Sequence, residues 1–475
     1  MDIIVGRYRE KEIIQKAIDS DKSEFISVYG RRRVGKTFLI RRFFNNDFFF
    51  QASGIANVEM PQQLINFNSA LQKTNNNSQL PVADDWFSSF QQLTQIILRS
   101  RKPTKVIFID ELPWFDTAQS NFVAAIEHFW NSFASARKDI VLIVCGSAAS
   151  WMINKIINNH GGLHNRVTRR IKLEPFTLGE CKDFLLAKSI KANNYHIARL
   201  YLAFGGIPFY WDEVEGGFSA DQNIQNICFS PNGLLRSEFD NLFPSLFSNS
   251  DKHLLIVKAL ATKAKGLRRD EIIKITGLAN AGSTTRILTE LEQSGFIRKY
   301  NTFGKKERFS LFQLVDFYTL FYLKYIQKSS KSTENYWINS FDSPKFRAWS
   351  GYAFELLSLV HIKQIKMALG ISGIESTAFS WRSKDAENGV QIDLIIDRKD
   401  QAINICEMKF SVGEYTITKA LAKNLRNKLG TFRAETKTRK SVMITMVTVD
   451  GVRHNEHSLG LIHNEILLED LFLKK

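Results

Sequence analysis

Cysteine is scarce in this chain. Its four copies, Cys145, Cys181, Cys228 and Cys406, lie far apart and form no C-x-x-C pair. That spacing argues against a zinc site or a disulfide framework and fits a reducing cytoplasm. Long uncharged apolar runs are also missing, so no segment reads as membrane-spanning. The opening MDIIVGRYREKEII is charged early and lacks the apolar core of a signal peptide. No collagen, coiled-coil or solenoid period runs through the sequence. Acids are the minority charge, 48 Asp and Glu against 64 Lys and Arg, for a net charge of +16. Such an excess points to an anionic partner, with nucleic acid, DNA first, as the candidate; a solvated basic surface is the plain alternative.

The rest of the composition is ordinary for a globular protein, and 475 residues exceed what one hydrophobic core organises, so several domains are expected. Residues 1–245 alternate apolar runs with helical patterns. SEFISVYG, TKVIFIDEL and DIVLIVCGS read as parallel strands covered on both faces, which makes the fold class α/β. Three short helices and a hairpin follow over 246–328, the pattern of a winged helix. The Ser-rich QKSSKSTENYWINSFDSP reads as a linker, and residues 340–475 as a second α/β unit.

Two sites carry chemistry. GRRRVGKT fits G-x-x-x-x-G-K-[ST] at Gly30, Gly35, Lys36 and Thr37, after an apolar strand and before a helix. In such a loop backbone N–H groups face phosphate oxygens, Lys36 reaches the β- and γ-phosphates, and Thr37 ligates Mg²⁺. Arg33 and Phe38 flank the same turn and are assigned to the nucleotide. IFIDEL supplies the carboxylates from a neighbouring strand: Asp110 for the Mg²⁺ shell and Glu111 to orient or deprotonate the attacking water. Ser147 ends a third strand, where it either senses the γ-phosphate or caps the next helix. Arg166, Arg169 and Arg170 are candidate charge-stabilising fingers, Arg166 foremost, or else solvated surface. Pro208, in FGGIPFYW, suits an adenine base or plain loop chemistry.

These segments, with VGRYREKEII ahead of them and CGSAASWM between, resemble the archaeal-type P-loop ATPases related to AAA+ and STAND proteins. The resemblance covers roughly the first half of the chain. It implies ATP as the nucleotide, a helical lid near 175–245, a winged helix, and Arg7 and Glu10 as parts of an opening nucleotide-proximal motif; Tyr8 stands where the family usually has Glu. Some relatives form rings, so a homo-oligomer is left open.

Near the other end, VQIDLIID and AINICEMKF place Asp393 on one strand and Glu407 and Lys409 on the next, two apart and so on one face. An odd number of residues in the turn sets Asp393 opposite Glu407; an even number turns it away unless a bulge intervenes. Two carboxylates can hold Mg²⁺ beside a scissile phosphate, a lysine can position water, and Glu355 on the preceding helix can complete the shell. An ion-paired edge hairpin is the plain alternative. The set resembles the PD-(D/E)XK nuclease core, with Ile392 rather than proline before Asp393. The basic run KALAKNLRNKLGTFRAETKTRK either grips a nucleic-acid backbone or solvates a helix face. The sequence therefore leads to an ATP-regulated, Mg²⁺-dependent DNA nuclease. A nucleotide-switched regulator with an inactive nuclease-like domain stands as the alternative.

Overall fold

The computed structural model describes residues 3–76, 78–158, 161, 163, 165–247, 249–301, 303–304, 309–329, 336–340, 343–383 and 389–474. It divides into two compact units, Met1–Pro175 and Phe176–Lys475. The segment expected as a helical lid from 175 to 245 therefore groups with the second unit.

The first unit is built on a five-stranded parallel sheet. Its strands are β1 (Glu24–Gly30), β2 (Phe50–Ser53), β3 (Lys105–Asp110), β4 (Ile140–Gly146) and β5 (Arg169–Leu173), in the order β2-β3-β4-β1-β5. Every residue of β3 and β4 is buried, as their unbroken apolar runs require of central parallel strands. The edge strand β5 alternates, with Ile171 and Leu173 inward and basic residues outward. Helices Met60–Asn75, Trp86–Arg99 and Phe122–Ser132 cover one flank. Phe67, Trp86, Phe90, Phe115 and Phe122 pack there edge-on and stacked, with Trp86 fully buried against Phe122 at 4.9 Å between ring centres. Full burial of such side chains contributes about 1.5–3 kcal/mol each.

In the second unit, helices Ser250–Ala261, Arg269–Thr276 and Gly282–Gln293 interleave with β6 (Leu267–Arg268), β7 (Ile297–Tyr300) and β8 (Leu311–Leu314). The three strands form an antiparallel sheet in the order β6-β8-β7. β6, too short to show as a run, was not foreseen. The tip of the expected hairpin, 305–308, lies outside the described residues, as do 330–335 and 341–342 of the expected linker. Trp337 of that linker is buried, stacked on Phe229 at 5.8 Å.

The remaining sheet is mixed. It comprises β9 (Ser376–Arg382), β10 (Gln391–Arg398), β11 (Ala402–Met408), β13 (Ser441–Thr448) and β15 (Asn464–Leu467), in the order β15-β13-β11-β10-β9. Short β12 (Tyr415–Thr416) and β14 (Val452–Arg453) pair beside it. The hairpin β9-β10-β11 is antiparallel, and β11, β13 and β15 run parallel. Helix Pro344–Val360 lies before this sheet in sequence and helix Lys419–Thr436 crosses from β11 to β13. The expected single helix over 346–369 instead breaks at His361. That ring is buried: Nδ1 donates to the Leu357 carbonyl at 2.8 Å, and Nε2 accepts the Leu178 N–H at 3.0 Å. Burial pushes its pKa down to about 4.

Candidate active sites

The phosphate cradle is shaped by backbone conformation. Gly30 has φ +144°, and a Cβ there would lie 2.4 Å from the Leu173 carbonyl oxygen; Gly35 has φ +90° and opens onto free space. Only glycine takes the first position without moving β5. The helix Lys36–Phe43 begins directly after. The Lys36 ammonium is buried and donates to the carbonyls of Gly30 (3.2 Å) and Arg31 (2.9 Å). Burial lowers its pKa, against the pull of Cys145, Glu111 and Asp110.

Thr37 Oγ1 donates to Asp110 Oδ1 at 3.2 Å, and the same oxygen accepts the Glu111 N–H at 2.9 Å. These are hard oxygen donors, the chemistry that Mg²⁺ takes. The carboxylate strand β3 stands two places from β1 in the sheet. β4 intervenes, and its end carries Ser147. Ser147 Oγ donates to Glu111 Oε2 at 2.9 Å and caps no helix. Glu111 itself has φ +46°, a left-handed conformation that costs a non-glycine residue about 1–3 kcal/mol and that clusters at functional sites. Its backbone passes so close to Gly54 that a Cβ there would lie 2.6 Å from the Glu111 carbonyl oxygen.

The second cluster lies at the β10–β11 hairpin. The turn spans three residues, Lys399 to Gln401, and Leu394 pairs with Cys406. Carried one residue further, this register sets Asp393 across from Glu407 on the same face. A bulge shifts the β9–β10 register between Ile392 and Ile395, at Asp393 itself. Glu407 is nearly buried and receives two ammonium groups, Lys409 at 2.8 Å and Lys428 at 2.7 Å. Burial pushes its carboxyl up, and these lysines outweigh that and pull it down. Asp393 pairs with Lys265 at 3.3 Å and accepts from Gln391 at 3.0 Å. Glu355 is pushed up to about 7 by burial and by the charges of Asp393 and Glu407, partly offset by Lys265 and Lys409. Burial is the first cause of that upward push, with the neighbouring carboxylates second. As the side chains stand, no three of His, Cys, Asp or Glu among the described residues are grouped to hold a metal ion.

Residues 5–214 match a family described as an ATPase domain predominantly from Archaea. The chain carries an archaeal-type ATPase domain. An uncharacterized protein of Methanocaldococcus jannaschii is 25% identical over 364 residues, 74% of this chain and 76% of that protein. An uncharacterized ATP-binding protein of the same archaeon is 43% identical over 44 residues, 9% of this chain and 75% of its own. Among solved structures, the Walker-type ATPase of Pyrococcus abyssi aligns with a TM-score of 0.49 at 14% identity, covering 67% of this chain and 95% of that one. The Aeropyrum pernix ORC2 protein aligns with a TM-score of 0.39 at 12% identity, covering 69% and 95%. No helix among the described residues is long and apolar enough to cross a membrane.

Within the ATPase domain, Arg7 has a part that its place in the opening motif did not reveal. Its guanidinium donates to the Glu174 carbonyl at 2.7 Å and to the Val34 carbonyl, inside the phosphate loop, at 3.2 Å. Arg7→Ala is expected to lower stability by about 1–3 kcal/mol and to weaken ATP binding roughly tenfold, read by urea titration and nucleotide fluorescence; unchanged affinity would leave Arg7 a purely structural tie. Arg33 sits in the loop at φ +68°, and Phe38, 38% exposed, carries Arg42 over its ring. Arg166 and Arg170 are exposed, while Arg169 is tied to buried Glu24 at 3.1 Å. Pro208 opens a short helix of the second unit, after a Gly205–Gly206 turn closed onto Phe176.

The basic run 419–440 is partly committed within the fold. Lys428 serves Glu407, Lys440 pairs with Asp397 at 2.6 Å, and Arg433 donates to the Val442 carbonyl. Nothing in the sequence pattern flagged Lys265 or Lys428 as partners of the acids, because both come from distant elements.

Glu355 supplies a pH test. A glutamate ordinarily titrates near 4.5, and the folded protein keeps this proton up to about 7. The folded state binds it more tightly, so the stability from this group is complete below the ordinary value and is lost as pH rises through the folded one. Glu355→Gln is expected to be more stable than the parent at about pH 8 and to show a flatter pH dependence above about pH 5. Urea midpoints across that window check it; parallel curves for both proteins would refute the assignment.

Proposed function

We propose that this chain is an ATP-dependent nucleic-acid-processing enzyme whose ATPase domain drives or gates a Mg²⁺-dependent DNA nuclease site in the mixed sheet. What supports the nuclease reading is the β10–β11 register, observed to Leu394–Cys406, which extended by one residue sets Asp393 across from Glu407, with Lys409 two residues along the same strand and Glu355 feeling the charges of all three. In the ATPase domain, Lys36, Thr37 and Asp110 would hold the Mg²⁺-nucleotide, and Glu111, steered by Ser147, would take the proton of the attacking water. In the mixed sheet, Glu355, Asp393 and Glu407 would hold the metal, and Lys409 would orient water or steady charge on the phosphate. Bound Mg²⁺ supplies Lewis acidity at the phosphoryl oxygens. The order helix–strand–helix–helix–strand–strand over 250–314 supports the winged-helix expectation. Its third helix spends Arg286 on Glu290, and Glu290 on His253, which favours packing over base reading.

One observation favours the second reading, a nucleotide-switched regulator with an inactive nuclease-like domain: every acid of the cluster faces lysine. Incubating the intact protein with duplex and single-stranded DNA, with Mg²⁺ or Mn²⁺ and with or without ATP, separates the two. Cleavage that needs the divalent ion and disappears in Glu407→Ala supports the nuclease; ATP turnover with no cleavage in any condition supports the regulator.

A further inference from the structure

A second basic feature lies away from the run at 419–440. Helix Ser250–Ala261, the aromatic segment 317–329 and helix Pro344–Val360 enclose a cleft of about 620 Å³. Lys258, Lys324 and Lys328 line it, one from the first wall and two from the second, with Tyr352 and Trp349 from the third. Lys324 lies over the Trp349 ring at 5.3 Å. Among the described residues, none of these lysines pairs with a carboxylate. Burial, then the like charges of Lys345 and Lys328, pulls Lys324 below the usual lysine range. Gathering ammonium groups around a cavity without a counter-charge is unfavourable, and a bound polyanion relieves it.

The walls argue for the kind of anion. They are helix flanks and one helix C-terminus, with no glycine loop or helix N-terminus to offer backbone N–H groups to a single phosphate. Lysines spread over two elements suit a chain of phosphates instead. The cleft also lies next to the gap that holds the acids. Ala264 lines both it and the narrow gap holding Lys265, Glu355 and Asp393. Tyr352 stands one helical turn before Glu355 and feels its charge.

We infer that Lys258, Lys324 and Lys328 form a binding site for the sugar–phosphate backbone of a single-stranded nucleic acid, leading it toward Glu355 and Asp393. The choice of a strand over a free polyanion rests on the nucleic-acid reading proposed above.

The test is fluorescence anisotropy with the full chain and a labelled oligothymidylate of about twenty nucleotides, longer than a compact single-strand site. EDTA is present, so binding is read without cleavage. The triple variant Lys258→Ala/Lys324→Ala/Lys328→Ala is expected to bind at least about tenfold more weakly at low salt, and the slope of log affinity against log salt is expected to be shallower by about 2, at roughly 0.7 per lost phosphate contact. Unchanged affinity and slope would overturn the site. Loss of inorganic tripolyphosphate binding with the oligonucleotide unaffected would assign a small polyanion and overturn the strand. Circular dichroism and the urea midpoint of the variant report its folding. If the triple variant unfolds, exposed Lys258→Ala and Lys328→Ala singly should each flatten the slope by about 0.7, and no change in either refutes the site. A protein that binds the strand through these lysines but cleaves nothing sinks the nuclease and leaves this site standing; cleavage with unaltered strand binding does the reverse.

Discussion

Glu111→Gln is expected to reduce ATP turnover by about 10²–10³-fold while nucleotide affinity stays within a few-fold. The amide keeps the side chain's shape and its acceptor oxygen for Ser147, whose hydroxyl lies 2.9 Å from the carboxylate. It removes the negative charge and with it the capacity to take a proton, and positioned general bases contribute about 10²–10⁴ in rate. Affinity is spared because Lys36 and the loop lie on another element, and the Thr37–Asp110 pair uses the Asp110 carboxylate and the Glu111 backbone N–H, which the substitution leaves in place. Phosphate release under saturating ATP, beside a titration with a fluorescent ATP analogue, measures both quantities. Turnover within threefold of the parent would move the base to another residue. Ser147→Ala should fall between parent and Glu111→Gln, since it frees a carboxylate that remains chemically competent.

Glu407→Ala is expected to abolish divalent-dependent DNA cleavage, a loss of at least about a hundredfold, and it carries a structural cost. Lys409 and Lys428 both converge on that carboxylate in a nearly buried setting. Removing one partner of a buried ion pair costs about 3–5 kcal/mol, because the stranded charges remain. Glu407→Gln keeps the volume and isolates the chemistry, so the two variants are compared at matched folded fraction, judged by circular dichroism. Asp393→Asn should match Glu407→Gln in cleavage, since the β10–β11 register extended one residue past Leu394–Cys406 sets the two acids opposite each other. Cleavage that survives in all three variants belongs to something other than this cluster.

What could be read from the sequence follows from where free energy is concentrated. β1, β3 and β4 were legible because central parallel strands must be apolar on both faces, and Val, Ile and Leu runs have no other economical use. The glycine positions of the loop were legible because backbone conformation restricts residue choice there. β2, β5 and β9 escaped notice: each is a short or edge strand half exposed to solvent, and RRIKL reads as a basic surface tract until its alternation is set against a neighbour. The break at His361 was hidden as well, since an imidazole inside an apolar helical pattern gives no sign that Leu178 will hydrogen-bond to it. The acids of the second cluster stood out as charges within apolar strands. Their lysine partners come from 128 positions before Asp393 (393 less 265) and 21 after Glu407, and such pairings are written in topology rather than in local pattern.

Because Lys265 belongs to the turn just before β6, its ammonium joins the small three-stranded module to Asp393. A divalent ion arriving at Asp393 competes with that ammonium. Ion loading and the seating of the module are then linked equilibria, and linkage runs both ways by the same factor. If the proposed metal site holds an ion, whatever loosens the module's hold would tighten the grip on that ion, and cation concentration would become a signal that the C-terminal half registers as a change of posture.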